Sequence, residues 1–219
     1  MNSNSGGKQK MSVMDSMKQS IIVPVVVIED AKDAVPTAKA LLAGGINVME
    51  ITLRTAAALD SIRNVAKECP DMVVGVGTVL NIDQAKEAVE AGAKFIVSPG
   101  FDEETVKWCI DNDINVTPGC VTPTEIMAAR KLGLRVLKFF PANVYGGLKA
   151  ITNLAAPFTD MQFIPTGGVN TENIAEFVAN PAIFAVGGSW VCKKSDITEG
   201  NFDKITQLCQ EARKQAGAQ

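Results

Sequence analysis

A lysine in the middle of a short apolar segment is the residue of this chain best suited to chemistry. Residues 135–141 read Arg-Val-Leu-Lys-Phe-Phe-Pro, a pattern typical of a strand buried in a parallel sheet. Because burying an ammonium group is costly, Lys138 is expected to be paired, neutral or both. A neutral amine attacks carbonyl carbon and forms a Schiff base. The alternative is an edge strand whose lysine faces water.

The absence of histidine restricts the remaining chemistry. Without imidazole there is no Ser-His-Asp or Cys-His nucleophile system and no zinc site with histidine ligands. Acid–base work then falls to carboxylates, lysine, tyrosine or water. The five cysteines are odd in number and lack metal-site spacing, which predicts reduced thiols and a cytoplasmic location.

Charge and length exclude further classes of function. A net charge of −3 over 219 residues gives no basic surface for nucleic acid or an anionic membrane. No apolar stretch approaches the roughly 20 residues of a membrane span. The first ten residues lack the apolar core of a signal peptide. We predict a flexible tail over residues 1–11 and, because no linker composition follows, a single domain over residues 12–219.

Apolar strand segments alternate with helical segments along the chain. A short amphipathic helix is predicted at 12–20, a strand at 21–28 and a helix at 29–42, with Pro36 expected to kink that helix. Further strands are predicted at 46–52, 72–76, 94–98, 114–117, 135–140, 161–166 and 182–186. Further helices are predicted at 56–69, 83–91, 103–112, 123–132, 148–155, 172–179 and 202–215. The expected N-caps are Asn81, Asp102, Thr122 and Asn170.

Eight strand–helix repeats predict an α/β fold of the (β/α)₈ TIM-barrel type, whose usual size of about 200–250 residues fits one domain. An open doubly wound sheet is the alternative. No Gly-x-Gly-x-x-Gly opens the first helix, which disfavours a dinucleotide-binding sheet.

Side-chain alternation places a carboxylate in the same interior as the lysine. In the second strand Glu50, Thr52 and Arg54 share one face, and the other face is apolar. In a sheet covered by helices the polar face is the barrel interior, which also receives Lys138 from the sixth strand. Glu50 then serves either as a structural partner of Lys138 or, as we favour, as its proton shuttle. Arg54, at the mouth, either grips a substrate carboxylate or forms a loop salt bridge.

Glycine-rich turns follow the seventh and eighth strands. The sequences are Pro-Thr-Gly-Gly at 165–168 and Val-Gly-Gly-Ser at 186–189. Barrels commonly hold phosphate on backbone N–H groups at these two positions. Although glycine also simply makes turns, the pair of turns predicts a phosphate-bearing substrate.

Six segments in order resemble one family. They are GINVMEITLRT (45–55), VGVGTV (74–79), VSPG (97–100), LKFFPA (137–142), PTGGV (165–169) and VGGSW (186–190). The chain resembles 2-keto-3-deoxy-6-phosphogluconate (KDPG) and 4-hydroxy-2-oxoglutarate (KHG) aldolases from about Val23 to its last helix. The resemblance implies a homotrimeric, metal-independent Schiff-base (class I) aldolase without a cofactor. It would cleave KDPG to pyruvate and glyceraldehyde 3-phosphate in the Entner–Doudoroff pathway, and KHG to pyruvate and glyoxylate.

The resemblance also implies roles for individual residues. The Schiff-base lysine falls on Lys138 and the proton-transferring carboxylate on Glu50. The substrate-binding positions, at the pyruvate end and along the pocket wall, are Arg54, Thr78, Pro99, Phe140 and Thr166. The phosphate-binding positions are Gly167, Gly168, Gly188 and Ser189.

This chain departs from the expected family pattern at two places near the mouth. Asn143 stands where an acidic residue is expected. Cys120 and Val121 stand where an aliphatic residue followed by serine is expected. These departures leave substrate preference open. The alternatives are an aldolase for another 2-keto-3-deoxy acid, such as the 6-phosphogalactonate epimer, and a non-catalytic sugar-phosphate-binding barrel.

Overall fold

The computed structural model describes residues 11–218, which form an α/β fold built on parallel strands. Apart from Met11, the predicted tail lies outside the described residues. The strands are β1 Ile22–Val26, β2 Val48–Thr52, β3 Val73–Gly77, β4 Phe95–Val97, β5 Asn115–Thr117, β6 Val136–Phe139, β7 Gln162–Pro165 and β8 Val186–Gly188. The α-helices are α1 Val13–Ser20, α2 Ala34–Ala43, α3 Ala58–Glu68, α4 Ile82–Glu90, α5 Glu103–Asp111, α6 Pro123–Lys131, α7 Gly147–Ala155, α8 Ile174–Val178, α9 Lys194–Thr198 and α10 Phe202–Gln215.

The strands form a curled parallel sheet. Six of them pair in the order β5-β4-β3-β2-β1-β8, and β6 pairs with β7. Single parallel bridges join the two groups, Gly119 to Lys138 on one side and Thr166 to Gly187 on the other. In this arrangement β8 returns to β1 through Ile22 opposite Val186.

The strands are buried on both faces, including the polar residues Glu50 and Thr52 of β2. All five residues of β1 and all five of β2 are buried, as expected for parallel strands covered by helices outside and by other side chains inside. Three predicted N-caps are confirmed: Asn81, Asp102 and Thr122 each accept a hydrogen bond from a backbone N–H three residues on. No helix within the described residues has the length and apolarity needed to cross a membrane.

Three local predictions differ from the structure. A 3₁₀ turn at Ala31–Asp33 precedes α2, so Pro36 lies in the first turn of that helix, where its missing N–H costs no helical bond. The last strand is Val186–Gly188 rather than 182–186, because its pairing with β1 begins only at Val186. Asn170 accepts bonds from two N–H groups in the turn before α8, whose own N-cap is Asn173. The short helix α9 was not predicted.

Candidate active site

Lys138 and Glu50 lie side by side in the interior of the fold. Lys138 extends from β6 and Glu50 from the middle of β2, and Lys138 Nζ is 3.3 Å from Glu50 Oε1. The two residues are only 5% and 3% exposed. Lys138 is also flanked on both sides, by Ile164 of β7 and by the segment after β5, whose Cys120 N–H donates to its carbonyl at 2.9 Å. The alternative of an edge strand with a solvated lysine is therefore wrong.

A glycine on β3 leaves the space that the Glu50 carboxylate occupies. A Cβ at Gly77 would overlap Glu50 Oε1 and would lie 2.6 Å from Cδ and 2.7 Å from Cγ. One layer lower on the same strand, Gly75 makes room in the same way for the ring of Phe95. The position of the carboxylate therefore depends on a missing side chain on its neighbour.

A cavity of about 130 Å³ opens beside the lysine. It is lined by Val25, Val27, Arg54, Lys138, Phe140, Thr166, Gly167, Gly168, Val169, Gly187 and Ser189. Lys138 Nζ lies 5.2 Å from the centre of the Phe140 ring, which is within the range of a cation–π interaction. The cavity thus has the Lys138 amine at one wall and glycine turns at another.

An arginine stands at the mouth of this cavity. Arg54 follows β2, is exposed, and donates from Nε to Thr78 Oγ1 over 3.2 Å. Thr78 has a φ of 62°, which is unusual for a β-branched residue and is typical of strained positions at functional sites. Because Thr78 engages Nε, the terminal nitrogens of the guanidinium remain available for a planar anion such as a carboxylate.

The opposite side of the cavity presents backbone N–H groups. Gly167 and Gly168 have φ values of 92° and 85°, which glycine adopts without strain. Their carbonyls are turned outward, where Asn143 N donates to Gly167 O at 3.1 Å and Asn173 Nδ2 to Gly168 O at 2.9 Å. Within residues 11–218, the N–H groups of Gly168, Val169 and Ser189 have no protein acceptor. Such free N–H groups form a binding site for an anion.

Seven of the eleven sequence-predicted residues line this cavity, and four do not. Glu50 lies behind Lys138, whose Nζ is 3.3 Å from Glu50 Oε1. Thr78 reaches it through Arg54. Gly188 is buried and does not line the cavity, whereas its neighbour Gly187 does. Pro99 borders a separate depression formed by residues after β3 and β4, together with Phe101.

Four residues of the cavity wall are not among the predicted positions. Val25 and Val27 of the first strand segment line it, as do Val169 and Gly187. Alternation along the first strand would have indicated the two valines, because they share one face. Gly187 is a glycine for a specific reason, since a Cβ there would overlap Thr166 Oγ1.

Two other kinds of chemistry receive no support at this site. Burial raises the pKa of the Cys120 thiol to about 12, so this cysteine is a neutral thiol at neutral pH rather than a nucleophile. Among the described residues, no group of three or more Cys, Asp or Glu side chains is arranged to hold a metal ion.

Comparison with known proteins agrees with this geometry. Residues 13–208 match the family model described as KDPG and KHG aldolase. The chain belongs to this aldolase family. The KHG/KDPG aldolase of Escherichia coli K12 is 43% identical over 203 residues, which are 93% of this chain and 95% of that protein.

Solved members of the family have the same fold. The 2-keto-3-deoxy-6-phosphogluconate aldolase of Zymomonas mobilis is 42% identical, with a TM-score of 0.85 over 92% of this chain and 96% of its own. The KDPG aldolase of Legionella pneumophila is 36% identical, with a TM-score of 0.89 over 93% and 99%. That enzyme was solved with pyruvate captured at low pH as a covalent carbinolamine intermediate.

Proposed function

We propose that this protein is a metal-independent Schiff-base aldolase that cleaves KDPG to pyruvate and glyceraldehyde 3-phosphate, and also KHG to pyruvate and glyoxylate. The observation that carries the proposal is the buried Lys138 amine, 3.3 Å from a buried carboxylate and open to a cavity. A structural ion pair does not account for this arrangement, because buried pairs contribute little stability for their desolvation cost. A carbonyl-attacking amine beside a proton carrier accounts for both groups.

Binding of the substrate uses the two ends of the cavity. Arg54, held by Thr78, takes the carboxylate next to the keto group. The N–H groups of the turns at Gly167–Gly168 and Ser189 take the phosphate, as helix and turn amides commonly do. Gly188 shapes the second turn from behind. Thr166, Phe140 and, from the neighbouring depression, Pro99 complete the walls. With both ends fixed, the keto carbon lies at Lys138.

The reaction begins at the amine. Lys138 transfers a proton to Glu50, and its lone pair then attacks the keto carbon to give a carbinolamine. Glu50 returns the proton to the carbinolamine hydroxyl, water leaves, and a protonated imine forms. The face of the Phe140 ring stabilises this cation.

Cleavage follows from the imine as electron sink. Glu50 takes the proton of the 4-hydroxyl, the bond between the third and fourth carbons breaks, and its electron pair moves into the imine to give an enamine. Glyceraldehyde 3-phosphate leaves. Glu50 then gives this proton to the third carbon of the enamine, which forms the imine of pyruvate again, and water hydrolyses that imine to pyruvate and the protonated lysine. Lys138 and Glu50 are thus the two catalytic residues of the proposal.

We also propose a domain organisation, an oligomeric state and a cellular location for this protein. We infer that residues 12–219 form a single domain whose curled sheet closes as a (β/α)₈ barrel. The return of β8 to β1 and the bridges beside β6 and β7 support this inference. Membership of the family supports a homotrimer, and the five unpaired cysteines support a reducing, cytoplasmic location.

Turnover on two epimeric substrates tests the proposal. Pyruvate release from KDPG and from its 6-phosphogalactonate epimer is followed with lactate dehydrogenase and NADH, in the presence of EDTA. We expect cleavage of KDPG with the higher kcat/KM, no loss in EDTA, and no cleavage by Lys138→Met. Preference for the epimer would favour the sister aldolase, and no cleavage of either compound by the unmodified protein would refute the function.

A further inference from the structure

The residue after the proposed phosphate turn supports that turn from behind. Trp190 follows Ser189, and its indole ring lies against Gly188. A Cβ at Gly188 would come within 2.7 Å of the ring atom Cε3 and 2.8 Å of Cη2. The Trp190 ring therefore packs directly against the backbone of Gly188, next to the N–H group of Ser189.

Two polar atoms near this ring are buried without a partner. Within residues 11–218, Trp190 Nε1 and Asp196 Oδ2 have no hydrogen-bond partner. Both side chains line one cavity of about 340 Å³ between the β8 turn and α10. One atom is a donor and the other an acceptor, so each supplies what the other lacks.

Asp196 has a partner at only one of its two carboxyl oxygens. It lies on α9, is 2% exposed, and accepts a hydrogen bond on Oδ1 from Lys204 Nζ of α10 at 2.6 Å. Its second oxygen faces no donor, and an unsatisfied buried oxygen is costly. Lys204 balances the charge, but it does not account for the free oxygen.

We propose that Asp196 is a positioning residue for the phosphate end of the site. Its Oδ2 is the acceptor for the indole N–H of Trp190, because these two buried atoms are the unpaired acceptor and the unpaired donor of one shared cavity. This contact fixes the ring against Gly188 and so fixes the Ser189 turn. The inference rests on the proposed function, because it concerns the phosphate of the same substrate.

Loss of the contact between Asp196 and Trp190 should affect KDPG and KHG differently. Loss of the contact lets the Ser189 turn move, which weakens phosphate binding but leaves Lys138, Glu50 and Arg54 in place. A substrate without phosphate, such as KHG, does not use that turn. KDPG and KHG therefore report on the two ends of the site separately.

Three variants test the contact by steady-state kinetics on KDPG and KHG. Trp190→Phe keeps the ring and removes the N–H, Asp196→Ala removes the acceptor, and the third variant combines both changes. We expect each single variant to raise KM for KDPG about tenfold, the size of one hydrogen bond to a charged group. We expect kcat/KM for KHG to change less than about twofold. The double variant should be no worse than either single one, because all three lose the same contact.

Trp108→Phe on α5 is the matched control, since it removes the chain's other tryptophan away from the turns and should change neither substrate. Equal losses on both substrates, additive effects in the double variant, or an unchanged KM for KDPG in Trp190→Phe would each overturn the inference. If Asp196→Ala does not fold, Trp190→Phe alone decides. Failure of the proposed function is distinct, since the unmodified protein would then cleave neither substrate.

Discussion

Alanine at position 77 would disturb the Lys138–Glu50 pair without altering either side chain. A Cβ at Gly77 would overlap Glu50 Oε1, so the carboxylate must leave its place 3.3 Å from Lys138 Nζ. The backbone of Gly77 has no positive φ, so alanine fits the strand itself. The main consequence is the displaced acid–base group.

The expected loss of kcat in Gly77→Ala equals the contribution proposed for the Glu50 carboxylate as an acid–base group. Positioned acid–base catalysis accelerates reactions by about 10²–10⁴-fold, so we expect kcat of Gly77→Ala to fall by about that factor. This corresponds to about 3–5 kcal/mol of the activation barrier. Overpacking should also lower the free energy of unfolding by about 1–3 kcal/mol. Schiff-base formation with pyruvate should become slow but should still take place.

Gly75→Ala on the same strand is the matched control. Gly75 lies opposite the backbone of Glu50, but its Cβ would meet the ring of Phe95 rather than the carboxylate, so this change should cost similar stability with little effect on kcat. The assays are single-turnover cleavage of KDPG and urea unfolding. A folded Gly77→Ala protein with normal kcat, or an equal loss of kcat in Gly75→Ala, would refute the assigned role of the carboxylate position.

Three further predictions concern other groups. Glu50→Gln should fold and bind pyruvate but turn over about 10²–10⁴-fold more slowly in the same single-turnover assay, and a normal rate would remove its role. Thr78→Val keeps the side-chain shape but frees Arg54 Nε, so KM for both substrates should rise about threefold to tenfold at constant kcat in steady-state assays. Burial raises the pKa of three thiols from 9.0 to about 12. The three are Cys109, Cys120 and Cys209. Their neutral form stabilises the fold below pH 9, and this stability should be lost from pH 9 to 12 by up to about 1.4 kcal/mol per unit per thiol. Urea unfolding between pH 8 and 10.5 tests this, with Cys209→Ala expected to show a shallower slope.

The positions of most strands and helix starts along the chain could be predicted from local sequence signals. Short apolar runs and capping residues such as Asn81 and Thr122 depend on nearby sequence alone, and they marked elements to within a few residues. The predicted bounds of the last strand were wrong because the bounds of a strand depend on its neighbour in the sheet. The last strand pairs with β1 only from Val186 onward. Helix α9 has five residues and too little periodicity for detection.

The proximity of Lys138 and Glu50 was predictable because alternation assigns each side chain to a face of its strand. The distance between the two side chains could not be predicted from the sequence. It depends on the space that Gly77 leaves for the Glu50 carboxylate, which only the packed structure shows. Two details of the site depend on the path of the loops after the strands. Gly187 lines the cavity instead of Gly188, and Pro99 lies at a separate depression. Sequence patterns constrain such loops weakly.

Trapping of the covalent intermediate tests whether Lys138 forms a Schiff base with the keto acid. The unmodified protein is incubated with pyruvate and reduced with borohydride, and the modified peptide is located by mass spectrometry. We expect a 1-carboxyethyl group on Nζ of Lys138 and none in Lys138→Met. A stable adduct on another lysine, or no adduct in the unmodified protein, would contradict this expectation.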